Sequence, residues 1–159
     1  MVPTRIPAVA LLVAVALAVT ACAPSTGNGG FTDREGVRAV TTAESAAGGR
    51  GFELDVDDGR WEIHVAVGDR EVDVRVSADG SAVESSEDDG DGIDADDRRA
   101  LEAATTTLAD ALRIAASQNP GDDRIESASL ERENGSAVWK IEFEGDAAVR
   151  VSGADGSIR

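Results

Sequence analysis

The sequence predicts an α+β protein made of two tandem small units, each a helix packed on an antiparallel three-stranded sheet. Three observations predict it. A stretch from Gly59 to Ser81, GRWEIHVAVGDREVDVRVSADGS, returns from Gly135 to Ser157 as GSAVWKIEFEGDAAVRVSGADGS. Each copy runs Gly, Trp-x-Ile, a hairpin signal, a Val-x-Val strand and Asp-Gly-Ser, and such duplication marks two copies of one unit. Within each copy the apolar residues alternate with polar ones, the period of a half-buried strand. Ahead of each copy lies a stretch with helical spacing.

In the first unit, Thr32-Asp33 followed by Glu35 is a helix start signal, and the helix runs from Asp33 to Ala47. Its stripe is Val37, Val40, Thr41, Glu44 and Ala47; Gly36 inside it costs about 1 kcal/mol against Ala. Gly48-Gly49 stops it. Phe52, Leu54 and Val56 alternate with Glu53 and Asp55 as a first strand, and Asp57-Asp58-Gly59 turns into Trp61. Trp61, Ile63, Val65 and Val67 share one face, with Glu62, His64 and Ala66 on the other. After Gly68-Asp69, Val72, Val74 and Val76 continue the apolar face, and Glu71, Asp73 and Arg75 the polar one. The two tryptophans, in phase with Ile63 and Ile141, are expected to be core anchors.

Residues 84–97 hold eight acids among fourteen residues, and 84–92 reads as a solvated, self-extended linker between the units. The second unit then opens with its helix, capped by Asp94, with Leu101, Ala104, Leu108, Ala111, Leu112 and Ala115 as one apolar stripe ending at Asn119-Pro120-Gly121. Ala128 and Leu130 mark a strand, and Trp139, Ile141 and Phe143, then Ala147, Val149 and Val151, make the hairpin, with Lys140, Glu142 and Arg150 pointing away. The second unit spans 93–159 and the first 33–83.

Residues 1–21 open with Arg5 and an apolar run from Ile6 to Val19, the pattern of a secretory signal peptide. Its end, Val19-Thr20-Ala21-Cys22, resembles the bacterial lipobox. That resemblance implies diacylation of Cys22 and anchoring at the cell membrane, facing outside the cytoplasm, with residues 22–32 as the lipidated Cys and a Gly-rich tether. Cys22 is the only cysteine, so no intrachain disulfide forms. Formal charge is −16, and −17 once Arg5 leaves with residues 1–21. That balance argues against nucleic-acid binding, which needs a basic patch.

No catalytic constellation is visible, so an enzyme is not expected. His64 is the single histidine, expected on an exposed strand face, with no nucleophile in reach. A lone His also argues against zinc, whose sites draw on several N or S ligands. In the acidic run, Glu87, Asp89 and Asp91 with Gly92 fit the start of a calcium loop, but Asp94 and Arg98 stand where an aliphatic residue and a Glu are needed. They remain weak metal candidates, and no cofactor is expected.

A duplicated helix-plus-hairpin unit with a Trp-x-Ile strand and a closing Asp-Gly-Ser resembles the PepSY family, the second copy more closely. The family helix resembles Ile93 to Ala104, its aromatic-led strand Trp139 to Phe143, and its closing turn Val151 to Gly156. The chain departs where Ser77 and Ser152 stand in place of the family's frequent Asp. The resemblance implies a helix laid on an antiparallel sheet and a non-catalytic module that binds or regulates another extracytoplasmic protein, a peptidase being the partner class it points to. A cation-responsive acidic envelope module is the alternative.

Overall fold

The computed structural model describes residues 32–119 and 124–159. The signal segment, Cys22 and nearly all of the tether lie outside these residues. In chain order the elements are α1 (Asp33–Ala47), β1 (Arg50–Asp57), β2 (Arg60–Val67), β3 (Arg70–Val76), β4 (Val83–Asp88), α2 (Ala95–Ala103), α3 (Leu108–Gln118), β5 (Ile125–Glu133), β6 (Ser136–Phe143) and β7 (Ala147–Ser152). The α+β class is as predicted. The strands form one antiparallel sheet of seven, ordered β4-β3-β2-β1-β5-β6-β7.

Two three-stranded meanders are present, β1–β3 and β5–β7, each tied by tight turns. Asp58-Gly59 and Asn134-Gly135 both adopt positive φ, the signature that Asp-Gly and Asn-Gly supply at two-residue hairpins. The meanders are not separate units resting on each other. Their first strands pair directly, Leu54 opposite Ala128 and Asp55 opposite Ser127, and one continuous apolar cluster runs beneath both. Joining the sheets removes two unpaired edges and merges two cores that would each be small.

Helices α1 and α3 lie side by side on one face, touching each other and the sheet. The buried side of α1 is Gly36, Ala39, Val40 and Ala43, turned from the stripe the sequence suggests. Small residues win this face because the helix lies close to the sheet: a side-chain carbon at Gly36 would sit 3.3 Å from the Trp61 ring and 3.5 Å from Leu112.

Two further expectations are corrected. The helix expected from Ile93 to Asn119 is broken into α2 and α3. The break is Ala104 to Thr107, where Thr105 and Thr106 donate their N–H groups to the Gly153 carbonyl (2.7 and 2.8 Å) and Thr107 Oγ1 caps α3 by accepting from Asp110 N–H at 3.1 Å. β-branched threonines and competing hydroxyl bonds favour a cap over a helix interior. Leu101 and Ala104 are still buried, but from α2, which crosses one end of the sheet. There the Arg50 guanidinium donates to the carbonyls of Leu101 and Ala104 (3.0 and 3.1 Å), and Arg98 pairs with Asp69. The second correction is the acidic linker: Val83–Asp88 is an edge strand on β3. The backbone bonds of β3 need a partner, and charge does not forbid it, because Arg60 pairs with Glu84 and Arg70 with Asp88 (2.7 Å) at the two ends.

Candidate functional site

The face of the sheet opposite α1 and α3 carries the polar half of every strand. Reading straight across it, register places Glu87, Asp73, His64, Glu53, Ser129, Lys140 and Arg150 in one row over all seven strands. The neighbouring row runs Ser85, Arg75, Glu62, Asp55, Ser127, Glu142 and Ala148. The β1–β4 half is therefore strongly acidic, and the cations of the first row collect on β6 and β7. Among these residues Arg75 pairs with Glu62 at 3.2 Å, and Lys140 with Glu142 at 2.7 Å.

His64 sits at the centre of the acidic half. It faces outward, as the alternation predicts, but it is half-buried rather than exposed. Asp73 lies directly across on β3, Glu53 directly across on β1, and Glu71 diagonally. The Nδ1 nitrogen is 2.7 Å from Glu71 Oε1 and 2.9 Å from Asp73 Oδ1. Nδ1 carries at most one hydrogen, and its hydrogen-bond partner is Glu71 Oε1. Asp73 Oδ1 is left buried with no hydrogen-bond donor.

Phe52 covers the ring. A bulge between Gly51 and Glu53 sets Phe52 out of the alternation the sequence suggests and brings its ring edge-on to the imidazole, centroids 6.1 Å apart at 62°. Gly51 then faces the core, where a side-chain carbon would lie 3.3 Å from Leu108.

The electrostatics follow from this crowding. Burial pushes the Glu53, Asp55 and Asp73 carboxyls above their ordinary values, partly offset by the imidazole. Asp97 on α2 is raised as well, by burial and by Asp94 and Glu71. Burial alone would lower His64. The Glu71 hydrogen bond and the Asp73 and Glu53 carboxylates more than reverse it, so the imidazole is held above its usual value.

Of the other sequence candidates, Glu87 borders this centre and the rest are placed apart from it. Glu87 points outward on β4 beside Asp73, while Asp89 and Asp91 are exposed in the loop that follows. Trp61 and Trp139 are fully buried, as expected. Trp61 Nε1 donates to the Ala78 carbonyl and Trp139 Nε1 to the Thr106 carbonyl, each at 3.0 Å. Glu71 and Asp73 were legible as outward residues of β3. Their convergence on His64 could have been read from the hairpin register, which sets Val65 opposite Val72 and so His64 opposite Asp73. The nitrogen's approach to both carboxylates depends on rotamers that no spacing encodes.

The two Asp-Gly-Ser turns repeat their geometry. Asp79 accepts from Ser77 Oγ (2.7 Å) and from Ser81 N–H (3.1 Å) and Oγ, and Asp155 accepts from Ser157 N–H (3.1 Å) and Oγ (2.8 Å). Gly80 and Gly156 both take positive φ. Each turn abuts its helix: a side chain at Gly80 would strike the Glu35 carbonyl at 2.5 Å, and one at Gly156 would meet Ile114 at 3.0 Å. Ser77 and Ser152 both take part in these turns, Ser77 by donating to Asp79 and Ser152 Oγ by accepting from Ala154 N–H at 3.3 Å.

No helix among the described residues is long and apolar enough to cross a membrane. No curated protein matches the chain. A solved structure from Clostridium difficile 630, named as a candidate lipoprotein, aligns over 76% of this chain and 87% of its own, with 14% identity and a TM-score of 0.44. That score is too low to establish a shared fold. Residues 106–159 match the family model PepSY, peptidase propeptide and YPEB domain. The match begins at Thr106, so the helix it includes is α3 and not the Ile93–Ala104 segment that the resemblance first suggests. The part of the chain that is similar to the PepSY family is therefore the one holding α3, β5, β6 and β7.

Proposed function

We propose that the chain is a non-enzymatic extracytoplasmic lipoprotein that binds and regulates another protein outside the cytoplasm, through the acidic half of its uncovered sheet face. The observation that carries this reading is that face. Glu53, Asp55, Glu62, Glu71, Asp73 and Glu87 stand together on β1–β4, with Arg75 between them. Such a field steers a basic surface into contact and sets its orientation. The PepSY match supports the class of role, since the family's description names peptidase propeptides. An extracytoplasmic peptidase with a basic patch is accordingly the first partner to test. The location rests on Val19-Thr20-Ala21-Cys22 and the apolar run before it.

The test uses full-length chain in cells, with a photo-crosslinking residue at Glu62 or, as control, at Arg34 on α1. Capture of one protein from Glu62, lost on the combined charge reversals Asp55→Lys and Glu87→Lys, is the expected outcome. Equal capture from both positions, insensitive to charge, would reject the face. For the anchor, Cys22→Ala is expected to shift the protein from the membrane to the soluble fraction, and unchanged retention and gel mobility would reject it.

A further inference from the structure

We propose that His64, Glu71 and Asp73 form a binding site for one divalent transition-metal ion, of the zinc type, on the β2–β3 hairpin. This does not rest on the docking reading above. Among the described residues, these three bring their ligand atoms within 4.8 Å of one another. Nδ1 lies 2.7 Å from Glu71 and 2.9 Å from Asp73, ion-pair distances that show the three side chains converging on one point. A hydrogen on Nδ1 serves Glu71 and leaves the second carboxylate unserved. Asp73 Oδ1 is the buried oxygen without a hydrogen-bond donor, and it faces the same nitrogen. A buried, unpaired carboxylate oxygen is costly, and a cation that accepts all three donors at once removes that cost.

The donor set selects the metal. Two carboxylates and an imidazole suit zinc and its neighbours, whereas calcium prefers six to eight oxygens. Zinc bonds of about 2.0–2.2 Å set donors about 3.3 Å apart in a tetrahedron, so side-chain rotation of a few tenths of an ångström opens the present cluster to fit. A water molecule would fill the fourth position, and Glu53, directly across from His64 on β1, adds negative charge nearby. The surrounding frame is rigid: His64 and Asp73 are cross-strand neighbours in a regular ladder, and Phe52 holds the ring from the side. The acidic half of the face concentrates cations around this point. A single histidine in the sequence argues against zinc. The carboxylates of β3 complete the set only when the hairpin closes.

The experiment is zinc titration of the full chain in detergent, carrying Cys22→Ser so that its thiol does not compete, against a chromophoric chelator. Calcium runs in parallel, and cobalt serves as a spectroscopic probe. The expected result is one zinc per chain, with cobalt absorption typical of a low-coordinate N/O site. His64→Gln, Glu71→Gln and Asp73→Asn should each weaken binding at least tenfold, while Glu87→Gln with Asp89→Asn, which only thins the surrounding acidic field, weakens it far less. Far-UV circular dichroism identifies any variant that fails to fold, and the remaining two then decide. Absence of saturable zinc binding would overturn the proposal. So would binding untouched by His64→Gln, or binding lost with Glu87 and Asp89 instead.

Discussion

Gly36 on α1 lies against the ring of Trp61 on β2, so close that an added carbon would stand 3.3 Å from Cη2. A glycine that looks like a defect in a weak helix is the point where the helix meets the sheet. Alanine there gains helix propensity while crowding the ring, so the two effects oppose each other. Gly36→Val has no such balance, because its branches must enter space held by Trp61 and Leu112. Overpacking of this kind costs roughly 1–3 kcal/mol. A urea midpoint equal to or above that of the parent would show that α1 can slide away.

Trp139 is expected to be more sensitive than Trp61 to the loss of its N–H. Both rings are fully buried, but the Trp139 bond to the Thr106 carbonyl is buried, while the Trp61 bond to Ala78 is only partly so. Trp139→Phe leaves the Thr106 carbonyl unpaired away from water, at a cost of roughly 1–3 kcal/mol. Trp61→Phe leaves a carbonyl that water can reach. Equal losses in chemical denaturation would contradict this ordering.

Acid sensitivity is expected to come from the paired turns. Asp79 and Asp155 are held at about 2, below the ordinary 3.8, by hydroxyl and N–H donors from their neighbouring serines. The folded state therefore releases these protons more readily than the unfolded state. Their contribution is complete above the unfolded value and is lost as pH falls toward 2. The raised carboxyls of the sheet face, Glu53, Asp55, Asp73 and Asp97, act in the opposite sense at higher pH. Stability should thus rise on mild acidification and then fall below about pH 4. Asp155→Asn should flatten that final fall; an unchanged slope would remove Asp155 from the account.

Replacing Glu84–Asp88 with a Gly/Ser segment should destabilise the fold. As a free linker this stretch would be dispensable; as β4 it satisfies the outer edge of β3 from Val72 to Val76. Hydrogen exchange at the β3 amides reads the effect directly, with faster exchange expected there and little change on β6. Unaltered β3 protection would mean that the edge strand contributes nothing.

The β2–β3 and β6–β7 hairpins, their apolar faces and their turns are legible in the sequence. Alternation at Trp61–Val67 and Val72–Val76 assigned every outward residue of that hairpin, and Asp58-Gly59 and Asn134-Gly135 marked tight turns, because strand period and turn chemistry are local properties. The sequence also determined α1 from Asp33 to Ala47, through the Thr32 and Glu35 start and the Gly48 stop, where Gly48 takes φ 77°. Tertiary structure decided what local rules do not encode. The break at Thr105–Thr107 exists because those amides bond the Gly153 carbonyl, some fifty residues away in the chain. β4 forms because β3 offers an unpaired edge. The pairing of β1 with β5 fuses the two meanders, since two small cores gain by becoming one. The His64 centre is of the same kind: alternation put the imidazole and the carboxylates on one face, and hairpin closure with the Phe52 bulge brought their atoms to bonding distance.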